Sequence, residues 1–208
     1  MIDKICAFLT QKIRKEMPDI DDEKAEVINY GLQNLFGEIP KTFIMLFVAY
    51  ILGIFEWALF TFVALFIYKG ASGGVHLKTH IGCIIFTCTF YCIIPFISKF
   101  IVMSQIVKYI VISLVWIFGI IMIKLYAPAD TESVPILQDK VRKKKRIVSY
   151  ISFSIALLVA LIVQNNMVSN ILILANLFQT ITITKFIYKI TNNKYRYGVY
   201  GNTSSETV

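Results

Sequence analysis

Both histidines of this 208-residue chain stand within seven residues of one cysteine. The stretch reads Lys69-Gly70-Ala71-Ser72-Gly73-Gly74-Val75-His76-Leu77-Lys78-Thr79-His80-Ile81-Gly82-Cys83. A cysteine beside a histidine can yield a thiolate nucleophile. The imidazole takes the thiol proton and later returns it to a leaving amine. Lys69 and Lys78 add positive charge that favours the thiolate. Gly73 and Gly74 reach backbone conformations barred to other residues, and their N–H groups are candidates to bind an oxyanion or the substrate. The chemistry these residue types suggest is cysteine-dependent peptide cleavage. Each part also has a plainer use, since paired glycines make loops, lysines anchor helices at an interface, and a cysteine at a helix start packs as a small apolar group.

Spacing narrows the choice of base. On one continuous helix, positions 76 and 83 would share a face but stand ~10.5 Å apart along the axis. Either the chain bends before Cys83, with Gly82 helping, or His80, at neighbour spacing on a helix, is the partner. His76, His80 and Cys83 at i, i+4 and i+7 would also suit zinc. Only a distant Glu56 is at hand to complete such a site, so the expectation is catalysis without a metal or other cofactor. No third residue presents itself to orient the histidine: Glu56 is expected on the opposite side of the membrane, and Asp130 and Glu132 lie beyond two further spans.

These residues must be positioned by a largely apolar chain. Hydrophobic residues make up 57% and charged residues 16%, against about 25% charged in soluble domains. Ile81 to Ser98 and Ile147 to Val163 carry no charge at all, and each approaches the ~20 residues that cross a ~30 Å hydrocarbon core. The net charge of +8 sits at the ends of apolar segments, where it faces anionic lipid headgroups, and not along a soluble face as nucleic-acid binding would require. Four cysteines, three of them (Cys83, Cys88, Cys92) in or beside one apolar run, form no disulfide framework.

The expected architecture is all-α: a polytopic transmembrane bundle of about six spans, preceded by amphipathic helices over 1–37. Ile2, Ile5, Leu9 and Ile13 recur at helical spacing. A second amphipathic helix is expected from Glu23 to Phe36, ending near Gly37 and Pro40. Residues 41–190 form the bundle and 191–208 a mobile tail. The basic run Lys140 to Arg146 marks a cytoplasmic loop. Two spans, about 81–98 and 106–124, precede it, so the loop from Lys69 to His80 is cytoplasmic too. The amino terminus shares that side only if residues 42–68 fold as a short hairpin at Gly53 to Glu56. Spans at 147–163 and 167–187 follow, and both termini end inside. Asn170, Asn176, Gln179 and Lys185 interrupt the last span and should face the bundle interior.

The Gly-Gly-Val-His76 element, the His-x6-Cys spacing to Cys83 and the later Tyr126-Ala127-Pro128-Ala129-Asp130 resemble the AgrB family of accessory gene regulator proteins. Ile39-Pro40-Lys41 before the first span and a basic loop before the last two fit the same order of parts. The resemblance implies a membrane cysteine endopeptidase of Gram-positive quorum sensing. Such a protein removes the carboxy-terminal tail of an AgrD-like precursor peptide on the cytoplasmic side. A side chain of the peptide then attacks the acyl-enzyme, giving a cyclic thiolactone or lactone. By position Cys83 is the nucleophile, His76 the base, and Gly74 the glycine near it. The chain departs from the family in having Lys69 where arginine is frequent, an additional His80, and Asp130-Thr131-Glu132 where lysines often stand. A homodimer in which two subunits share one precursor groove fits the same picture. The competing expectation is a small exporter or peptide-binding protein without catalysis, its pathway lined by the polar residues of the last span.

Overall fold

In a computed structural model, residues 2–17, 20–75, 77, 79–130, 136 and 139–193 are described. Among them lie eight helices: α1 (Ile2–Glu16), α2 (Asp22–Ile51), α3 (Phe55–Ser72), α4 (His80–Phe100), α5 (Gln105–Tyr126), α6 (Asp139–Ile162), α7 (Asn166–Thr182) and α8 (Lys185–Ile190). The described residues hold no named strand. A single isolated parallel bridge joins Gly73 to Ala129.

The bundle is apolar outside and partly polar inside. Phe47, Phe66, Ile85, Ile110, Leu114, Ile117, Ile155 and Leu158 are exposed, while Thr61, Ser149, Asn170, Asn176, Gln179 and Thr180 are buried. That inversion is what a lipid solvent selects. Ile81–Phe100, Gln105–Tyr126 and Asp139–Ile162 are long and apolar enough to cross a membrane. The other expected crossings fall on α2, α3 and α7, which do not meet that measure. The tail from 194 onward lies outside the described residues.

The expected stop at Gly37 to Pro40 is not where the second helix ends. Helix α2 starts at the Asp21 cap, whose carboxylate accepts the Lys24 N–H at 2.8 Å, and runs through Pro40 to Ile51. The turn around the proline is knitted by side chains. Lys41 Nζ reaches Glu38 Oε1 at 2.8 Å, and Thr42 Oγ1 donates to the Glu38 carbonyl at 3.0 Å. A proline removes one backbone donor, whereas stopping the helix at an apolar boundary would leave several groups unpaired. The helix breaks where a turn is expected: Gly53 takes φ +67° and α3 begins two residues later.

Helix α7 packs against α3, α4, α5 and α6. Its polar side chains bond backbone carbonyls or side chains of α3, and only the buried Asn176 Oδ1 lacks a partner among the described residues. Asn176 Nδ2 donates to the Leu172 carbonyl at 2.8 Å, and Tyr68 Oη shares a hydrogen with Thr180 Oγ1 at 2.7 Å. Lys185, expected among the interior groups, sits instead on α8 and is exposed, because the helix breaks at Ile183–Thr184. Gly119 of α5 faces Phe153 of α6 so closely that a Cβ there would overlap the ring.

Candidate active site

The site forms where α3 ends. Gly73, at φ +72°, stops that helix with its N–H on the Lys69 carbonyl at 3.0 Å. The chain then lies beside the segment that follows α5. Ala129 N–H donates to the Ser72 carbonyl at 2.7 Å, and Gly74 N–H donates to the Ala129 carbonyl at 3.1 Å. This strap explains the glycine: a Cβ at position 73 would overlap the Ala129 carbonyl. Both glycine N–H groups are therefore taken, which leaves neither for an oxyanion while the strap is closed. Their part is to build a wall of the site.

Side chains from two other helices lock the strap. Gln179 Nε2 donates to the Gly73 carbonyl at 2.8 Å and to Ser72 Oγ at 3.1 Å. Arg146 Nε reaches the Ala127 carbonyl at 2.7 Å, and Arg142 pairs with Asp130 Oδ2 at 2.6 Å. Asp130 is 3% exposed. Arg142 also reaches the Pro128 and Ile136 carbonyls, each at 3.3 Å.

A cavity of about 350 Å³ opens beside the strap, with Cys83, Lys69, Gly73, Gly74 and Asp130 on its wall. Phe62, Phe66, Phe86, Phe90 and Tyr91 supply an aromatic side, and Glu38 and Lys145 sit at its margin. Such a space, mostly apolar with a few converging polar groups, suits a bound peptide segment.

Cys83 occupies the first turn of α4 and is half-buried. Its N–H bonds the Thr79 carbonyl at 3.0 Å, while Thr79 Oγ1 caps the helix by accepting the Gly82 N–H at 3.1 Å. The helix begins at His80, so positions 76 and 83 do not share one helix. The chain bends at Thr79 and not at Gly82. His76 and Lys78 themselves lie outside the described residues, and of His80 only the helical backbone is described. Lys69 lies in the last turn of α3 with its Nζ 5.3 Å from the Tyr91 ring centre, and it faces the cavity.

Two groups escaped the sequence reading. Lys41 is buried, bridges to Glu38, and interacts with Cys83. Burial works against its charge, but Glu38 and then Cys83 outweigh that and hold Lys41 above the ordinary lysine value. Asp130 was set aside for its distance along the chain, yet it lines the same cavity as Cys83. The signals were present, since Ile-Pro-Lys41 and Tyr-Ala-Pro-Ala-Asp130 both stand among the family-like motifs. Neither carries a spacing that links it to Cys83.

A family model for accessory gene regulator B matches residues 6–183. Among similar proteins, an AgrB-like protein of Clostridium acetobutylicum is 21% identical over 196 residues, covering 94% of this chain and 91% of that one. An AgrB-like protein of Listeria innocua serovar 6a is 27% identical over 177 residues, 85% of each chain. The accessory gene regulator protein B of Staphylococcus aureus strain Newman is 23% identical over 161 residues, 77% of this chain and 80% of that one. No solved structure matches. With most of its length covered by the family model and an apolar helical bundle to match, this membrane protein belongs to the accessory gene regulator B family.

Proposed function

We propose that this protein is a quorum-sensing cysteine endopeptidase and cyclase that removes the carboxy-terminal tail of an AgrD-like precursor peptide. The observation that carries this reading is the placement of Cys83: a half-buried thiol on a helix's first turn, beside the Lys41 ammonium, on the wall of a cavity that would fit a peptide segment.

The steps follow from that arrangement. Lys41 and the amino-terminal end of α4 set positive charge beside the Cys83 sulfur. His76 takes the thiol proton, and the Cys83 sulfur attacks the scissile carbonyl. Collapse of the tetrahedral intermediate breaks the C–N bond, and His76 hands its proton to the departing amine of the tail. The thioester that remains holds the peptide next to its own nucleophile. That side chain attacks the carbonyl, gives its proton to the base and releases Cys83, closing a thiolactone or lactone. Keeping the peptide's nucleophile close raises its effective concentration by orders of magnitude. The aromatic wall keeps competing water away from the thioester.

The cavity lies at the end of the bundle that carries Lys140 to Arg146. By the distribution of positive charge that end faces the cytoplasm, as do both termini of a multi-pass chain. The polar side chains of α7 favour catalysis over a transport pathway, because most of their hydrogen bonds are made inside the bundle. The test is purified protein in lipid mixed with precursor peptide. Mass spectrometry should find an acyl adduct on Cys83, and Cys83→Ala should release no tail. Tail release by Cys83→Ala, or binding of precursor without cleavage by the native protein, would overturn the proposal.

A further inference from the structure

Resting on that reading, we propose that the Lys41 ammonium is a catalytic group of the site: it donates a hydrogen bond to the oxyanion formed when the Cys83 sulfur attacks the scissile carbonyl, and Glu38 holds it in place for that task.

The first ground is where the other donors go. Acyl transfer needs a donor aimed at the oxygen on which charge develops, and backbone N–H groups beside the nucleophile are the usual source. Four that flank this site are committed elsewhere. Gly73 N–H serves the Lys69 carbonyl, Gly74 N–H the Ala129 carbonyl, Gly82 N–H the Thr79 hydroxyl and Cys83 N–H the Thr79 carbonyl. Gln179 Nε2, the side-chain amide on the same wall, gives its two hydrogens to the Gly73 carbonyl and Ser72 Oγ. Lys69 rests over the Tyr91 ring.

The second ground is the company Lys41 keeps. Helix α2 packs against α4, and Glu38 and Thr42, on the same turn as Lys41, line the cavity with Cys83. Lys41 itself is 8% exposed, bridges to Glu38 Oε1 at 2.8 Å and interacts with the Cys83 thiol. Burying an ammonium in an apolar bundle is costly, and such groups either complete the backbone or serve a function. Lys108, the other buried lysine among the described residues, completes the backbone, since it donates to the Val163 carbonyl at 2.8 Å. Lys41 is set against a carboxylate and a thiol instead.

The electron flow then selects its role. As the S–C bond forms, the carbonyl π pair moves to oxygen, and charge passes from sulfur to an atom bonded to the carbon under attack. An ammonium already beside the sulfur reaches that oxygen with little movement. It transfers no proton: when the C=O bond re-forms and the C–N bond breaks, the amine takes its proton from the base. Closure of the ring on the thioester builds a second oxyanion at the same place.

The experiment compares native protein, Lys41→Met and Cys83→Ala in lipid nanodiscs. Two rates are read at one pH: tail release from the precursor peptide, and Cys83 alkylation by iodoacetamide, followed by peptide-resolved mass spectrometry. Alkylation uses the same sulfur at a saturated carbon and builds no oxyanion, so it reports the thiolate alone. In Lys41→Met, kcat should fall about 100-fold further than the alkylation rate, the cost of one lost oxyanion donor, with KM nearly unchanged. Equal losses in the two rates overturn the assignment, because they confine Lys41 to the thiol. Unchanged turnover overturns it as well. Should Lys41→Met fail to fold, Lys41→Arg decides. Arginine keeps the charge but replaces a compact, rotating donor with a rigid plane, so alkylation should stay near native while tail release falls about 10-fold. Equal rates relative to native in Lys41→Arg overturn the assignment. Tail release by Cys83→Ala would instead defeat the peptidase reading as a whole.

Discussion

The two ends of the bundle handle polar groups in opposite ways. At the end where α4 meets α5 and α6 meets α7, polar side chains close the chain breaks. Lys108, 3% exposed, donates to the Val163 carbonyl at 2.8 Å. Asn170 Nδ2 serves the carbonyls of Ser98 at 3.1 Å and Ile101 at 2.8 Å. Ser169 Oγ donates to the Ala160 carbonyl at 2.8 Å. Of the buried side-chain groups there, only the Ser98 hydroxyl, a neutral group, goes without a partner among the described residues. At the other end the breaks are tied just as firmly, by the Gly73–Ala129 strap and the two arginines. There, however, a thiol and a buried carboxylate line one cavity, and the buried Lys41 ammonium interacts with the thiol. In an apolar bundle a polar group that finishes the backbone needs no further explanation. One left with spare capacity beside a cavity points to a substrate.

The comparison can be broken most forcefully at the strap. Gly73→Val places side-chain atoms into the Ala129 carbonyl and demands φ +72° of a β-branched residue. Cleavage should fall by about 100-fold, on the scale by which a misplaced catalytic group loses rate. Helix content by circular dichroism should be unchanged. Native activity in Gly73→Val would show that the strap does not shape the site.

Lys41→Met sharpens the same end. Removing the cation should slow Cys83 alkylation at neutral pH by about 10-fold, the effect of losing one opposite charge nearby. Lys41→Arg should restore most of it. At the far end, Asn170→Leu should lower stability by about 1 kcal/mol, as interhelical polar contacts in membranes do, and leave kcat untouched. Unfolding in mixed detergent and a parallel cleavage assay would read both. A large loss of turnover there would erase the difference between the two ends.

The smallest effect is expected at Asp21. The backbone N–H of Lys24 holds its carboxyl below the ordinary aspartate value. Its contribution to the α2 start is therefore present above the ordinary carboxylate range and lost as pH falls through the lowered value. Asp21→Ala should speed amide exchange in the first turn of α2 alone, at neutral pH and not at strongly acidic pH.

Much of this arrangement could be read along the chain. Apolar runs gave the helices, Gly53 the break between α2 and α3, and the polar residues Asn170, Asn176 and Gln179 the inward face of α7. The continuation of α2 through Pro40 could not be read in the same way. Local proline rules predict a stop, while an apolar surrounding keeps the backbone bonded. The site was only half legible. Cys83 and Lys69 announce themselves by lying in one short stretch with the two histidines. Lys41 sits 42 positions before Cys83 and Asp130 sits 47 after it, so no local period relates them.

What the sequence determined alone was solvent and reagent: a chain too apolar for water, with one thiol set among its only imidazoles. Tertiary structure decided which distant groups surround that thiol. Helix packing brings Lys41 to Cys83, and two backbone hydrogen bonds beside a glycine carry Asp130 to the same cavity. Such neighbours are chosen by how helices pack, and packing leaves no spacing in the chain to read.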